Sequence, residues 1–354
     1  MPRLKRRSSP GAAPGTLIAD PAADRLTIHY WRFDREHCTE QKNCAVAALE
    51  PPRGNAEVVW VDVTGLGDTT LIEGIGERFG FHPLALEDVV NVHQRPKLED
   101  YDDHLYVVTR MALPGLGADT EQVSIFHSPG LVLTFQQRSG DCFEPVRERI
   151  RRAKGRIRAM PADYLLYTLI DAVIDGYFPV LEKFGESLEA LEHEVITKPD
   201  PACVERLHNL KRDLLALRRA LWPTRDMLAA LLRDESEFIT ESTQVYLRDA
   251  HDHTAQLIDI VETYREISSG LIDVYLSSLS TKLNEVMKVL TMMATVFLPL
   301  TFISSLYGMN FDRSFPWNMP ELGWPFGYPF ALGVMAAAGG LMLYYFWRKG
   351  WLGK

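Results

Sequence analysis

The residues of this chain that could conduct an ion lie in its last quarter, along one face of an apolar helical segment. Seven positions at steps of three or four residues carry polar side chains at both ends of the face and mostly apolar ones between. They are Asn284, Met287, Leu290 (with Thr291 as an alternative), Ala294, Leu298, Thr301 and Ser305. Several copies of such a face around an axis would surround a cation path whose apolar middle can gate by dewetting. The same spacing fits ordinary helix packing, so periodicity alone leaves both interpretations open.

Two stretches without charged side chains predict membrane-spanning helices at 289–308 and 329–347, each about long enough to cross the hydrocarbon core. Basic residues stand before the first segment and after the second, whereas the predicted 309–328 loop carries few charges. The positive-inside rule then places the loop outside and both termini, including the 348–354 tail, in the cytoplasm. We expect a multi-pass protein of the plasma (inner) membrane. Two helices cannot enclose a pore, so transport would require several subunits.

The region before these helices is predicted to be a cytoplasmic α/β domain at 23–160, preceded by a disordered basic tail at 1–22. Short apolar runs between turn residues indicate strands, and the stretches 69–79 and 84–91 indicate helices. The strand-like runs lie at 26–30, 58–61, 105–108 and 131–135. The expected fold class is therefore α+β, a mixed sheet with helices, followed by long helices and two C-terminal transmembrane helices.

Long helices follow the sheet domain. Leucines at steps of three and four residues form two runs within 161–243, and Pro199 and Pro201 must interrupt them, which predicts a helical hairpin. From Gln244 the chain meets no proline until Pro299. We therefore predict a stalk helix at 244–288 that continues into the first membrane segment, about 90 Å long if it reaches Tyr307.

Composition and the remaining motifs limit the function. A formal charge of -9 argues against a nucleic-acid partner and suits a surface that handles cations. The four cysteines lack the spacing of a zinc site. His251 and His253 stand two apart, which places them on different sides of a helix, and no phosphate-binding glycine loop is present. We therefore expect that this protein is not an enzyme.

The residues at the end of the first membrane segment resemble those of a known family. Tyr307-Gly308-Met309-Asn310-Phe311 stands there and is followed by Met319-Pro320-Glu321-Leu322. This arrangement resembles the CorA family of magnesium transporters, and the segments 81–97, 162–167, 273–278 and 284–290 resemble it too. The resemblance implies a funnel-shaped homopentamer in a lipid bilayer, with Mg²⁺ as both the transported and the regulatory ion. The segment 312–318 is longer than is usual in that family, which leaves the shape of the outer mouth open.

The resemblance also implies the ion sites. Gly308, Met309 and Asn310 would form the selectivity filter, where carboxamide oxygens hydrogen-bond the hydration shell of Mg²⁺ and still release it. The implied regulatory ligands are Asp88 and Asp273, meeting between neighbouring subunits, and Glu87, Asp171 and Asp249 at a second site. Without the resemblance, the aspartates would be surface charges and Asn310 a helix C-cap.

The expected function is a channel for Mg²⁺ influx, driven by the membrane potential and closed by intracellular Mg²⁺ at the subunit interfaces. Loss of the bridging ion would leave carboxylates facing one another, and their repulsion would open the gate. One alternative is a transporter of Zn²⁺, Co²⁺ or Ni²⁺ on the same scaffold, although the stripe and filter contain no Cys or His. Another is a membrane-anchored sensor without a pore.

Overall fold

The computed structural model describes residues 11, 13–18, 23–54, 56–113, 115, 117–197, 199–233, 238–312, 314–315 and 317–352; residues 1–10, 12 and 19–22 of the predicted tail lie outside them. The strands among the described residues are β1 (Thr27–Phe33), β2 (Cys38–Lys42), β3 (Val58–Thr64), β4 (Lys97–Asp100), β5 (Leu105–Ala112), β6 (Thr120–Ser128) and β7 (Leu131–Gln136). The α-helices are α1 (Thr69–Phe79), α2 (Pro83–Val90), α3 (Glu144–Arg151), α4 (Ala162–Asp175), α5 (Phe178–Thr197), α6 (Pro201–Leu232), α7 (Glu241–Tyr307) and α8 (Gly327–Arg348). Short 3-10 helices lie at Val46–Ala48 and Pro320–Gly323.

The chain divides into two compact units. The first, here called the sheet unit, comprises Met1–Glu194 and Asp200–Ile272. The second, here called the C-terminal unit, comprises Val195–Pro199 and Asp273–Lys354. Helix α7 contributes residues to both units.

The strands form one seven-stranded sheet in the order β2-β1-β3-β7-β6-β5-β4. The β3–β7 pair is parallel and the other pairs are antiparallel. The predicted mixed sheet is confirmed, and each predicted run lies in β1, β3, β5 or β7 with a shift of at most one residue at its start. Strands β2, β4 and β6 had not been predicted.

Both faces of the sheet are buried, which explains why its strands lack a strict alternation of polar and apolar residues. On one face, Val59, Val61 and Val63 belong to the same apolar cluster as side chains of α1 and α2. On the other, Trp60 stacks on Trp31 with ring centroids 6.1 Å apart and meets the edge of a further ring, Phe143.

Local capping chemistry sets the helix ends. Asp68 accepts the N–H of Leu71 at 3.1 Å at the start of α1, and Gly80 ends that helix with φ of 75°, the left-handed conformation that glycine adopts without strain. At the start of α6, Asp200 accepts the N–H of Ala202 at 2.9 Å. The helix break predicted between α5 and α6 is confirmed.

Helix α7 runs without interruption for 67 residues, about 100 Å, and passes through Pro299. Just before it begins, Thr240 donates its N–H and its hydroxyl to Asp163 of α4, at 2.8 and 2.7 Å. This pair ties the start of the long helix to the sheet unit. The predicted continuous helix from near Gln244 to Tyr307 is confirmed.

Three helical runs of the described residues are long and apolar enough to span a membrane: Ala162–Thr197, Glu241–Tyr307 and Gly327–Arg348. The three runs differ in how much of their most apolar part is buried within the chain. In the first run, 67% of the most apolar window is buried, whereas the values for the other two are 0% and 11%. The first run is thus accounted for by the core of the sheet unit, and α7 and α8 contain the two segments that the sequence predicts.

Candidate ion pathway and metal centre

The seven stripe positions of α7 are all exposed in the single chain. The exposed fractions of Met287, Leu290 and Leu298 are 61%, 59% and 69%. The half-buried positions lie elsewhere around this part of the helix and include Met292, Val296, Pro299 and Ile303. At 100° per residue, the stripe points away from these positions, so packing within the chain leaves it uncovered.

Polar groups of the stripe remain able to receive an ion. The Thr301 hydroxyl donates to the carbonyl oxygen of Phe297 at 2.8 Å, which satisfies its proton within the helix. Its oxygen lone pairs are left to face a cation or its water shell. Asn284 and Ser305, at the two ends of the stripe, are exposed.

The Gly308-Met309-Asn310 segment directly follows the last residue of α7. Gly308 donates its N–H to Ser304 at 3.0 Å and Met309 donates to Leu306 at 3.2 Å, so the backbone completes one more turn before Asn310. The exposed Asn310 carboxamide makes no hydrogen bond to the described part of the chain. It therefore does not cap the helix here.

The loop after Gly308-Met309-Asn310 is folded tightly against the start of α8. Met319 has φ of +46°, and Trp324 donates its N–H to the carbonyl oxygen of Glu321 at 3.2 Å. The Tyr307 hydroxyl donates to the Glu321 carboxylate at 3.4 Å. A Cβ atom at Gly327 would overlap the Glu321 carbonyl oxygen, so only glycine lets the two backbones approach this closely.

Asp88, the first predicted regulatory ligand, is engaged within its own chain. Lys97 Nζ lies 2.5 Å from Asp88 Oδ2, and the Gln94 side-chain amide donates to Oδ1 at 2.7 Å. Buried Gln122 donates to the Asp88 carbonyl oxygen at 2.8 Å and fixes the backbone. Burial alone would lower the pKa of Lys97, but Asp88 and Glu99 outweigh it and raise that pKa, so the lysine stays charged.

Asp273, its predicted partner, is an exposed residue of α7. It belongs to the C-terminal unit and Asp88 to the sheet unit, so their pairing across subunits stays a prediction. Glu87, next to Asp88, accepts the N–H of Gly15 at 2.7 Å. This contact gives a residue of the N-terminal segment a defined partner.

A cluster in the sheet unit contains one of the predicted second-site residues, Asp171, and a second, Asp249, lies beside it. Asp171 and Asp175 of α4 lie with His253 of α7 so that one potential ligand atom from each is within 4.8 Å of the others. Asp249 Oδ2 is 3.9 Å from His253 Nε2. Burial, followed by the neighbouring charge of Asp175, raises the pKa of Asp171 to about 6.

The cluster's chemistry suits a divalent cation, because two carboxylates and an imidazole can replace water ligands and end the repulsion between the aspartates. The Nδ1 atom of His253 is buried and has no hydrogen-bond partner among the described residues. Glu87 is not part of this cluster within one chain.

Sequence reasoning missed Asp175 and His253, although a signal was present. Asp171 and Asp175 are four residues apart, as are Asp249 and His253, and this spacing places each pair on one helix face. Lys97 and Glu99 were also missed as partners around Asp88, because their role depends on the unpredicted strand β4.

The comparisons with known proteins identify the family of this chain. A family model described as CorA-like Mg²⁺ transporter protein matches residues 55–349. The cobalt/magnesium transport protein CorA of Thermotoga maritima is 46% identical over 346 residues, covering 97% of each chain. The magnesium transport protein CorA of Haemophilus influenzae is 28% identical and covers 83% of this chain and 92% of its own.

A solved structure shares the fold. The complete structure of the CorA magnesium transporter from Methanocaldococcus jannaschii matches with a TM-score of 0.76 at 23% identity, covering 91% of this chain and 98% of that one. The family model spans most of the chain, and the Thermotoga relative is similar along nearly all of it. The chain therefore belongs to the CorA-like Mg²⁺ transporter family.

Proposed function

We propose that this protein is the subunit of a homopentameric channel that admits Mg²⁺ across the inner membrane, with both termini in the cytoplasm. The observation that carries the proposal is the exposed stripe of α7, which ends at Ser305, five residues before Asn310. An apolar helix with a polar-ended face left open by its own chain fits a position around a shared axis, where copies of the face enclose the ion path.

The filter assignment rests on Gly308, Met309 and Asn310. A Cβ at Gly308 would lie 3.4 Å from the nearest carbonyl oxygen, an ordinary contact, so folding of one chain does not itself require glycine there. Five copies that meet at a narrow mouth would require glycine at this position. A ring of neutral Asn310 carboxamides attracts hydrated Mg²⁺ without the tight hold of a carboxylate ring.

The gating proposal uses Asp88 and Asp273 of adjacent subunits as ligands of one regulatory Mg²⁺, and Asp171 and Asp249, with Glu87, at the second site. An ion that binds the closed arrangement better than the open one stabilises closure by mass action. Its loss exposes carboxylate repulsion. Influx is driven by the membrane potential, which favours the entry of a divalent cation.

Co²⁺ transport is the second candidate. His253 gives the aspartate cluster of the sheet unit an imidazole, a ligand that Co²⁺ binds better than Mg²⁺ does, although the stripe and filter contain no Cys or His. The Thermotoga relative is named for both ions. The test is uptake of Mg²⁺, Co²⁺ and Zn²⁺ into liposomes containing the purified protein, with and without an inside-negative potential. We expect Mg²⁺ uptake that increases with the potential. If well-folded protein takes up no Mg²⁺, the channel proposal fails and the alternative of a membrane-anchored sensor without a pore is favoured.

A further inference from the structure

We propose that Lys97 competes with the regulatory Mg²⁺ for Asp88, and that Glu99 holds the lysine when the ion is bound. The inference rests on the proposed function in one respect, that Asp88 is a ligand of this ion. It adds the residues that determine at which Mg²⁺ concentration the site fills.

The contacts around Asp88 make the competition direct. Both of its carboxylate oxygens are occupied, one by Lys97 at 2.5 Å and the other by Gln94 at 2.7 Å. Each oxygen has a second lone pair, but a divalent cation bound there would lie close to the Lys97 ammonium, and the repulsion between the two cations favours displacement of the lysine. Displacing the ammonium breaks an ion pair between side chains that are 27% and 23% exposed, so screening by solvent weakens it only in part.

Glu99 provides the alternative position. Residues 97 and 99 lie on the same face of β4, because side chains of a strand alternate. The Lys97 ammonium is already 2.6 Å from Glu99 Oε1, and the Tyr101 hydroxyl occupies Oε2 at 3.0 Å. The ammonium also lies 5.6 Å from the centre of the Tyr106 ring, a contact that helps retain it on this side. Release of Asp88 therefore leaves the lysine charged and paired.

Two substitutions have opposite expected effects. Lys97→Met removes the competitor and should lower the Mg²⁺ midpoint about three- to fivefold, as for a partly exposed ion pair. Glu99→Gln weakens the alternative position, keeps the lysine on Asp88 and should raise the midpoint about twofold. Lys97→Arg keeps a cation beside Asp88 and should stay close to the wild type.

Matched controls distinguish the direct contact of Lys97 with Asp88 from the general effect of nearby surface charges. Arg95→Met removes an exposed positive charge two residues before Lys97, and Asp100→Asn removes an exposed negative charge next to Glu99 on the opposite face of β4. Both should leave the midpoint unchanged. If Arg95→Met shifts it as far as Lys97→Met, the field and not the contact is responsible, and the proposal is overturned.

The experiment is limited proteolysis of the full-length protein in detergent across a Mg²⁺ titration, with intact oligomers confirmed for each variant. Asp88→Asn is measured beside the others. If Asp88→Asn raises the midpoint while Lys97→Met and Glu99→Gln leave it unchanged, the competition fails and the proposed regulatory site stands. If Asp88→Asn has no effect, the site assignment itself fails. A lowered midpoint for Lys97→Met, with a raised one for Glu99→Gln, is the result we expect.

Discussion

The sheet unit and the C-terminal unit differ in how far one chain satisfies their side chains. In the sheet unit even a fully buried carboxylate, Asp62, has partners in Thr134, Gln136 and Arg147. In the C-terminal unit large apolar side chains such as Phe297 and Leu341 are 65% and 68% exposed. Contiguous exposed apolar surface marks contact with lipid or protein. The first unit thus buries its large apolar side chains within one chain, whereas the second leaves many of its own exposed, as a surface in contact with lipid or protein does.

The largest expected effect comes from Asn310, whose exposed carboxamide follows the end of α7. Asn310→Ala should reduce Mg²⁺ uptake into liposomes to the background rate while the oligomer stays intact, because a methyl group offers the hydrated ion no hydrogen bond. Asn318→Ala, the same change in the following loop, is the control and should keep most of the uptake. Wild-type uptake by the Asn310 variant would remove the filter assignment.

A second prediction separates the two kinds of exposed surface on α7. Thr301 lies on the stripe, whereas Phe302, 67% exposed, lies on a different side of the helix. In a background with the four native cysteines replaced by serine, a charged thiol reagent in water should modify Thr301→Cys and block uptake. Phe302→Cys should stay unmodified, since it faces lipid. Equal modification of both positions would mean that the stripe is not the aqueous side.

Much of the difference between the sheet unit and the C-terminal unit was predictable from the sequence, because the secondary structure of each unit depends on local patterns. Helix α1 occupies the predicted residues, and the long proline-free run gave α7. Strand β6 was missed because Gln122, Ser124 and His127 interrupt its apolar pattern although all three are buried and hydrogen-bonded. Such residues look like loop residues until their distant partners are known.

The sites were less predictable, since they combine distant segments. The family resemblance supplied Asp171 and Asp249, but the meeting of α4 with α7 that adds Asp175 and His253 is a tertiary contact. The pairing of Asp88 with Lys97 likewise needed the position of β4. Spacing of four residues on a helix suggests a shared face, but it does not say what the face contacts.

A smaller effect is expected where the outer loop meets α8. We expect the Glu321 carboxylate to attract external Mg²⁺ by its charge. Gly327→Ala should displace the Glu321 backbone and therefore raise the apparent Km for external Mg²⁺ about two- to fivefold, as for the loss of one nearby charge, with maximal uptake less affected. Gly323→Ala is the matched control, because a Cβ there meets no atom within 4 Å. In an Glu321→Gln background the Gly327 effect should largely vanish. An unchanged Km in Gly327→Ala would show that the loop position is irrelevant to capture.

The smallest effect concerns the aspartate cluster of the sheet unit. Burial raises the pKa of Asp171 from 3.8 to about 6, so the folded state binds this proton more tightly than the unfolded state. Stability from this group is fully present below about pH 4 and is lost as the pH rises through about 6. Without divalent cations, Asp171→Asn should therefore raise Tm at pH 7 by about 2–4 °C relative to wild type, and have little effect at pH 4.

Exposed Asp259 of α7 provides the control for that measurement, and Asp259→Asn should not change the pH profile of Tm. Added Mg²⁺ or Co²⁺ should stabilise the wild type more than Asp171→Asn, because the ion replaces the proton between the carboxylates. A Tm difference that does not depend on pH would contradict the raised pKa.

We expect identical copies of the chain to complete the exposed face of α7, and the number of copies tests this expectation most directly. Native mass spectrometry of the protein released from detergent should give about 200 kDa, five times the 40.1 kDa chain, with Asn310→Ala giving the same value. Five copies place ten membrane helices around the axis, enough to enclose an ion path. A mass of one or two chains from folded protein would contradict the account, because so few helices cannot surround one.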